Sequence, residues 1–268
     1  MSMRITQADI DLANRLADAA GAVIRPYFRA PHGLETKADH SPVTLADREA
    51  EAAMRAMIEV AFPDDAIIGE EYGTKPGNSG RAWVLDPVDG TRAFVSGRPV
   101  FGTLIALMID GWPMLGIIDQ PILRERWLGV IGKPTLFNGA PIATRACTAL
   151  EGAALATTSP HAFDEHQADH FVALARAVTG GSMGQGPIYG GDCYNYGCLA
   201  SGYLDIVVEA GLKVHDFAAL VPVVEGAGGR MCDWQGDPLT ADSIGEVIAA
   251  GDPARIEDIV EALTCHGH

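Results

Sequence analysis

Two aspartates and a threonine stand close together in the segment Asp86-Pro87-Val88-Asp89-Gly90-Thr91, directly after a short apolar run. Pro87 has a fixed φ and favours an extended conformation at the residue before it, while Gly90 permits a turn that a side chain would obstruct. The segment therefore presents two carboxylates on one stiff turn. A hard cation such as Mg²⁺ prefers carboxylate oxygens, and a main-chain carbonyl such as that of Val88 can complete its ligands.

A helix that starts at Thr91 and Arg92 would add an anion site beside this cation, because the first N–H groups of a helix have no partner within it. The alternative is an ordinary Asp-Pro turn in which Asp89 caps a helix. The six residues alone leave both interpretations open.

Three other acidic segments help to decide between a cation site and an ordinary Asp-Pro turn. Glu70-Glu71 follows the apolar run AIIG, Asp216 precedes the apolar run FAALV, and Asp47 follows Thr44 by three residues. Each has an ordinary explanation, since acidic residues are common in solvated loops and in the first turn of helices. Only the combination of all four segments favours a shared site.

In that combination the sequence resembles the inositol monophosphatase family of Mg²⁺-dependent phosphatases, over nearly the whole chain. Within the family it is most similar to the branch of histidinol-phosphate phosphatases. The family motifs are KADHSPVTLAD (37–47), GEEYG (69–73), WVLDPVDGT (83–91) and the stretch 190–229, and the branch stretches are 89–107, 116–129 and YGGDCY (189–194).

The resemblance implies a set of metal ligands. Glu70, Asp86 and the Val88 carbonyl would bind one Mg²⁺, and Asp86, Asp89 and Asp216 would bind a second, so that Asp86 bridges the two. The resemblance also allows a third Mg²⁺ near Glu70. Two such cations can hold a phosphate ester from both sides, activating water and stabilising the leaving alkoxide.

The resemblance further implies direct attack by metal-activated water, without a covalent phosphoenzyme. Glu70 or Asp47, with the Thr91 hydroxyl, would orient or deprotonate that water. The backbone N–H groups of Gly90 and Thr91 would bind phosphate oxygens.

The same resemblance places Gly190, Gly191, Asp192 and Glu209 against the alcohol portion of the substrate. Inositol phosphatases usually carry a small residue where this chain has Asp192. Histidinol phosphate has an ammonium and an imidazole group, either of which a carboxylate can bind. We therefore expect hydrolysis of L-histidinol phosphate in histidine biosynthesis, although Asp192 could instead cap the helix that follows Gly191.

Other interpretations remain open. The motifs are shared by inositol-1-phosphate, sugar-phosphate, fructose bisphosphate and adenosine bisphosphate phosphatases, and a non-catalytic protein that binds phosphometabolites or cations could keep the same fold. His166 and His170 have helical spacing, but Gln167 stands where the HExxH zinc motif has glutamate. Gly184-x-Gly186 lacks the third glycine of a dinucleotide fingerprint.

The elements that position these residues follow from apolar spacing. Helices are predicted over 6–28 and from Thr44 to Pro63, and buried strands over 82–86, 103–110 and 114–119, with turns at Asp110-Gly111 and Asn138-Gly139. Strands and helices alternate in the second half. We expect a mixed α/β protein, a layered α-β-α-β-α sandwich like that of inositol monophosphatase and fructose-1,6-bisphosphatase, with lobes at residues 1–146 and 147–268.

Charge and composition narrow the class of partner. The 268 residues include 19 basic and 35 acidic side chains, a net charge of −16, which excludes a basic nucleic-acid binder. The N-terminus has no apolar leader, and the longest apolar run, residues 104–109, is far shorter than a membrane span. Five cysteines without a CxxC pair favour reduced thiols. We expect a cytoplasmic enzyme with a small-molecule substrate and no membrane partner, and the family suggests a homodimer.

Overall fold

The computed structural model describes residues 4–30, 35–36, 42–43, 45–180 and 186–264. The predicted helix start at Thr44 lies outside the described residues, as do much of the 37–47 motif and Gly184. The helices are α1 Gln7–Ile24, α2 Leu45–Ala61, α3 Thr91–Val95, α4 Glu165–Thr179, α5 Asp192–Ala200, α6 Val214–Phe217, α7 Leu220–Gly226 and α8 Ile256–Thr264.

The strands are short except near the candidate site. They are β1 Glu35–Thr36, β2 Pro42–Val43, β3 Ala66–Gly69, β4 Gly73–Lys75, β5 Arg81–Asp89, β6 Gly102–Ile109, β7 Trp112–Gln120, β8 Glu125–Val130, β9 Leu136–Phe137, β10 Ala140–Pro141, β11 Leu155–Thr157, β12 Ile188–Tyr189, β13 Ile206–Glu209, β14 Arg230–Cys232 and β15 Val247–Ala250.

The first helix begins where the sequence predicts, at a capping box. The Asp9 N–H donates to the Thr6 hydroxyl at 3.3 Å, and the Thr6 N–H donates to the Asp9 carboxylate at 2.7 Å. The α-helix ends at Ile24 and not at Phe28, because Pro26 has no N–H to continue the ladder and sits in a 3₁₀ turn. The apolar faces of α1 and α2 pack together under the first sheet.

The first sheet has eight strands in the order β10-β9-β8-β7-β6-β5-β3-β4. It is antiparallel except for the pair β3 and β5, which brings the ends of these two strands to the same edge. The predicted turns at Asp110-Gly111 and Asn138-Gly139 are confirmed, with positive φ at all four residues.

Strand β5 does not end at Asp86 as expected from the sequence. Asp86 pairs with Leu104 and Asp89 pairs with Gly102, and a bulge between them shifts the register. Pro87 cannot donate to the ladder, so the strand accommodates it by bulging and then continues. The two aspartates therefore belong to a bulged strand end and not to a turn beyond the strand.

The second sheet has the order β12-β11-β13-β15-β14, with β11 parallel to β12 and β13 and with β15 antiparallel to its neighbours. Strand β12 lies in the Gly-rich passage, where the sequence predicts no strand. The single helix predicted after Asp216 is instead two short helices, α6 and α7, separated at Ala218 and Ala219.

The layers follow the predicted order α-β-α-β-α. Helices α1 and α2 cover the first sheet, α5 and α7 pack between the sheets, and α4 and α8 cover the outer face of the second sheet. The chain passes to the second sheet between β10 and β11; the division into lobes at residue 146 stays a prediction. No helix in the described part of the chain combines the length and apolar character that a bilayer span requires.

Two glycines let the middle helical layer lie directly on the first sheet. A Cβ on Gly116 of β7 would overlap the backbone of Ala219, and a Cβ on Gly129 of β8 would overlap the backbone of Pro222. The backbone of α7 and of the residue before it thus approaches the sheet more closely than any side chain would permit.

Candidate active site

Three carboxylates converge where the first sheet meets the middle helices. Asp86, Asp89 and Asp216 each offer an oxygen, and these oxygens all lie within 4.8 Å of one another. Asp86 and Asp89 stand on either side of the β5 bulge, and Asp216 lies in the first turn of α6. The structure therefore brings together three metal ligands predicted from two distant segments.

Backbone N–H groups orient each of these carboxylates. The Val88 N–H donates to Asp86 at 3.0 Å, the Cys193 N–H donates to Asp89 at 2.6 Å, and the Lys213 N–H donates to Asp216 at 2.6 Å. The bond to Lys213 means that Asp216 caps its helix and also faces the cluster. The two interpretations that the sequence left open for Asp216 are compatible.

Burial and mutual repulsion make the cluster unfavourable without a cation. Burial raises the pKa of Asp86 well above its ordinary value, and the nearby charges of Glu70, Asp89 and Asp216 raise it further. Burial also raises the pKa of Asp89 and of Asp216, although His215 and the Lys213 N–H oppose the shift at Asp216. Buried, hard oxygen donors with excess negative charge fit a divalent cation such as Mg²⁺.

Glu70 adjoins this cluster at the end of the strand parallel to β5. Its N–H donates to the Leu85 carbonyl at 3.2 Å, and its carboxyl is close enough to Asp86 to raise the pKa of that residue. Asp47 is buried in the first turn of α2. The structure thus places Glu70 beside Asp86, while the roles predicted for Glu70 and Asp47 toward water remain predictions.

The predicted phosphate-binding residues form the start of a short helix. Gly90 caps α3 with a left-handed backbone, at a φ of 85°, and Thr91 is the first helical residue, as the sequence predicts. The Thr91 hydroxyl donates to the Val88 carbonyl at 3.1 Å. This hydroxyl therefore contacts the carbonyl predicted to bind metal.

Asp192 lies against the same glycine. A Cβ on Gly90 would be 2.8 Å from the Asp192 carboxylate, which leaves room for no side chain there. Burial raises the pKa of Asp192 to about 6, and the guanidinium groups of Arg98 and Arg92 oppose this shift. Gly191 is the N-cap of α5 and Asp192 is its first residue, so the alternative in which Asp192 caps this helix is wrong.

Glu209 is the last residue of strand β13 and lies close enough to Asp192 for that charge to act on it. Its Oε1 accepts the Thr158 N–H at 3.0 Å and the Thr158 hydroxyl at 2.6 Å. Burial raises the pKa of Glu209 to about 7, despite these two hydrogen bonds and with a further contribution from Asp192. Gly190 donates its N–H to the carbonyls of Thr157 and Thr158, which joins the turn before α5 to the end of β11, the strand next to β13.

Sequence reasoning missed several residues of this region. It did not single out Glu51, which is buried behind Glu70, or Arg98, and it considered Arg92 only for its backbone N–H, whereas the charges of both arginines act on Asp192. Glu51 follows Asp47 by one helical turn, and this acidic spacing was the available signal. The arginines had none, because they meet Asp192 only through tertiary packing.

The histidine pair of α4 does not contribute to the site. The rings of His166 and His170 lie 4.2 Å apart near Trp234, at the far face of the second sheet. Gln167, which replaces the glutamate of the zinc motif, donates to Glu246 at 3.1 Å. Among the described residues, the acidic cluster is the group arranged to bind a metal ion.

The layered fold, the carboxylate cluster and the match to a family model together identify this chain as a metal-dependent phosphoric monoester hydrolase. The sequence model of the inositol monophosphatase family matches residues 6–268, and the chain belongs to this metal-dependent family. The predicted family, fold class and phosphatase activity are thus confirmed.

Relatives of two kinds are similar to the chain. The bifunctional phosphatase IMPL2, chloroplastic, of Arabidopsis thaliana is 47% identical over 264 residues, 95% of this chain and 75% of that protein. A histidinol-phosphatase of Chlorobaculum parvum is 34% identical over 256 residues, 95% of this chain and 96% of that protein. The solved structure of an inositol monophosphatase from Zymomonas mobilis is 56% identical, with a TM-score of 0.86 over 96% of this chain and 98% of that one.

Proposed function

We propose that the chain hydrolyses L-histidinol phosphate to L-histidinol and inorganic phosphate, with Mg²⁺ as cofactor, as a step of histidine biosynthesis. The observation that carries this substrate is the Asp192 carboxylate, which lies against Gly90 beside the acidic cluster. A carboxylate at this place favours a substrate whose alcohol portion is cationic. Relatives that are histidinol-phosphatases support the same choice.

Two or three Mg²⁺ ions would be held by Asp86, Asp89, Asp216, Glu70 and the Val88 carbonyl. When bound, Mg²⁺ lowers the pKa of water and offsets the charge of the phosphate. The N–H groups that orient the three aspartates keep their oxygens directed at one point before any ion arrives. This preorganisation lowers the cost of assembling the site.

The chain's own groups would then position the reactants. The N–H groups of Gly90 and Thr91 bind phosphate oxygens at the start of α3. Glu70 or Asp47 accepts a proton from the attacking water, and the Thr91 hydroxyl helps to orient it. The water oxygen bonds to phosphorus, the bond from phosphorus to the ester oxygen breaks with its electron pair leaving on that oxygen, and the resulting alkoxide takes up a proton from solvent to give the alcohol.

The cationic end of the substrate would face Asp192 and Glu209. Arg98 and Arg92 favour the ionised form of Asp192, which is the form that binds a cation. Gly190 and Gly191 have positive φ, and a Cβ on Gly191 would overlap Asn195 while one on Gly190 would approach Arg98 to 3.1 Å. The turn before Asp192 therefore favours glycine at both positions, and their backbone would face the alcohol portion of the substrate, as the family resemblance implies.

Inositol phosphate is the second candidate substrate. The solved inositol monophosphatase from Zymomonas mobilis favours it. Arg92 and Arg98 also offset part of the charge of Asp192. This makes the part of the site formed by Asp192 and Glu209 less selective for cations.

Side-by-side turnover with Mg²⁺ separates the two substrates. We expect kcat/KM for histidinol phosphate to exceed that for inositol 1-phosphate by about tenfold or more, the effect of one charge-assisted hydrogen bond. An Asp86→Asn preparation corrects for contaminating phosphatases. A preference for inositol phosphate contradicts the proposal, and Mg²⁺ binding without turnover of any phosphomonoester favours the non-catalytic alternative.

We further propose a homodimer in the cytoplasm, with neither nucleic acid nor membrane as a partner. Family resemblance supports the dimer, and the acidic composition supports the absence of a nucleic-acid partner. Light scattering on the purified chain measures the mass of the assembly, and a monomer would contradict this part of the proposal.

A further inference from the structure

A glutamate that sequence reasoning did not single out ties helix α2 to the turn that carries Glu70. Glu51 is 0% exposed. Its Oε2 accepts the Glu71 N–H at 2.7 Å, and its Oε1 accepts the Tyr72 N–H at 3.2 Å. A side chain of the helix therefore supplies the acceptors for two consecutive N–H groups of the β3–β4 turn.

Arg55 supports this carboxylate one helical turn further along. Its Nε donates to the Glu51 Oε1 at 2.7 Å, and its Nη2 donates to the Gly73 carbonyl at the other end of the turn. Only 13% of the Arg55 side chain is exposed. The guanidinium compensates the buried charge of Glu51, so that Glu51 adds little repulsion to the acidic cluster.

The turn is also fixed on its other side. The Glu70 N–H donates to the Leu85 carbonyl at 3.2 Å, directly before Asp86. A Cβ on Gly69 would overlap the Glu51 carboxylate, so the strand end and the carboxylate are in direct contact. Three consecutive N–H groups, those of residues 70 to 72, are thus anchored to β5 and to Glu51.

We propose that Glu51, held by Arg55, is a positioning residue that sets the Glu70 carboxylate beside Asp86 and thereby raises the affinity of the centre for Mg²⁺. The inference rests on the proposed Mg²⁺ site. Glu51 touches neither metal nor substrate in this role. It acts through the backbone of the turn, as outer groups that orient metal ligands do.

The test is Mg²⁺ binding to the full chain by isothermal titration calorimetry, without substrate. Glu51→Gln keeps the size of the side chain but removes its charge and replaces one acceptor with a donor. We expect the Kd for Mg²⁺ to rise about tenfold or more, the lower range for loss of an outer-shell partner. Glu59→Gln is the matched control, because Glu59 is exposed on the same helix.

Kinetics gives a second readout that general damage to the fold would not produce. We expect the Mg²⁺ concentration for half-maximal turnover to rise in Glu51→Gln, while kcat at saturating Mg²⁺ stays within about threefold of the parent. Arg55→Gln, at a less buried position, is expected to shift both Mg²⁺ values in the same direction by a smaller factor. If Glu51→Gln fails to fold, the Kd of Arg55→Gln for Mg²⁺ tests the proposal instead.

An unchanged Kd for Mg²⁺ in a folded Glu51→Gln protein overturns the proposal, as does an unchanged Kd in Arg55→Gln if only that variant folds. A fall in kcat at saturating Mg²⁺ with no change in Kd also overturns it. A parent chain that binds Mg²⁺ but does not hydrolyse histidinol phosphate contradicts the proposed function alone, since the comparison of Glu51 variants is read from calorimetry.

Discussion

The Asp89 side chain destabilises the folded chain when no cation is bound, and the same side chain is a predicted Mg²⁺ ligand. It is half-buried beside Asp192 and Asp216. The loss of solvent, and after it the charges of these two carboxylates, raise the pKa of Asp89 well above the ordinary value. One N–H, that of Cys193, stabilises its ionised form at 2.6 Å. In the absence of a cation the remaining repulsion destabilises the folded chain.

Replacing Asp89 with asparagine is therefore expected to separate stability from binding. The metal-free variant should melt at the same temperature as the parent or above it, because one buried negative charge is lost. Its affinity for Mg²⁺ should fall about 100-fold or more, at least as much as when an outer-shell partner is removed. Thermal melting in chelator and calorimetry with Mg²⁺ measure the two effects.

Asp242→Asn, the same change at an exposed position, serves as control and should alter neither quantity. Parent-like Mg²⁺ affinity in Asp89→Asn would show that Asp89 is not a ligand.

Asp192 is the residue on which the proposed substrate depends most. Asp192→Ala should lower kcat/KM for histidinol phosphate by about tenfold or more, since a hydrogen bond to a charged group contributes roughly 1.5–3 kcal/mol. Turnover of inositol 1-phosphate by the same variant is the internal control and should change by less than about threefold. Unchanged kcat/KM for histidinol phosphate would show that Asp192 does not bind the substrate.

At the level of elements, the position of Asp216 depends on how closely α6 and α7 approach the first sheet. The two helices meet at Ala219, whose backbone lies on Gly116 of β7. Asp216 of α6 lies beside Asp86 and Asp89 of β5, while α7 packs between the sheets.

A methyl group at Gly116 should disturb this contact. We expect Gly116→Ala to lower the free energy of unfolding by about 1–3 kcal/mol, the usual cost of overpacking a core. Because Ala219 is close to α6 in the chain, the Kd for Mg²⁺ should rise as well. Denaturant unfolding and calorimetry measure the two effects.

Gly186→Ala is the matched control, because a Cβ at Gly186 would meet nothing within 4 Å and its φ is not positive. A Gly116→Ala protein as stable as this control would mean that the helical layer can move away from the sheet at little cost.

For the whole molecule, the excess of buried acid predicts how stability depends on pH and on metal. The folded, metal-free chain holds protons on Asp192 up to about pH 6 and on Glu209 up to about pH 7, whereas the unfolded chain releases them near pH 4. The folded state binds more protons in this window. These two groups therefore make the free energy of unfolding fall as the pH rises through it.

Magnesium should offset this loss, because it stabilises the folded chain by binding the deprotonated carboxylates of Asp86, Asp89 and Asp216. We expect the increase in melting temperature caused by saturating Mg²⁺, relative to chelator, to grow between about pH 5 and about pH 8. The raised pKa values of Asp86, Asp89 and Asp216 give the same sign, since their protons must leave before metal binds. Melting curves over this pH range measure the effect.

The Asp89→Asn variant is the control here and should show little Mg²⁺ stabilisation at any pH. A stabilisation of the parent that does not change with pH would contradict the assignment of the acidic cluster as the Mg²⁺ site.

Much of the site was predictable because its parts lie close together in the chain. Asp86, Asp89, Gly90 and Thr91 occupy one segment, and their chemistry follows from residue type, from Pro87 and from the family resemblance. The bulge in β5 was not predictable, since only pairing with β6 shows that the strand continues past Asp86. Contacts between distant segments, such as that of Asp192 with Gly90, were not predictable either, because they form only when the chain folds.

The sequence by itself determined the family, because the motifs that carry the resemblance are local stretches of chain, and that resemblance implied the layered fold and a set of candidate carboxylates. Only the tertiary structure decided which of the 35 acidic side chains meet. Asp86 and Asp216 come together because glycines let the middle helices lie on the sheet, and Glu51 reaches the Glu70 turn because α2 packs against β5. Such contacts arise from close packing of whole elements, which spacing along one chain segment does not record.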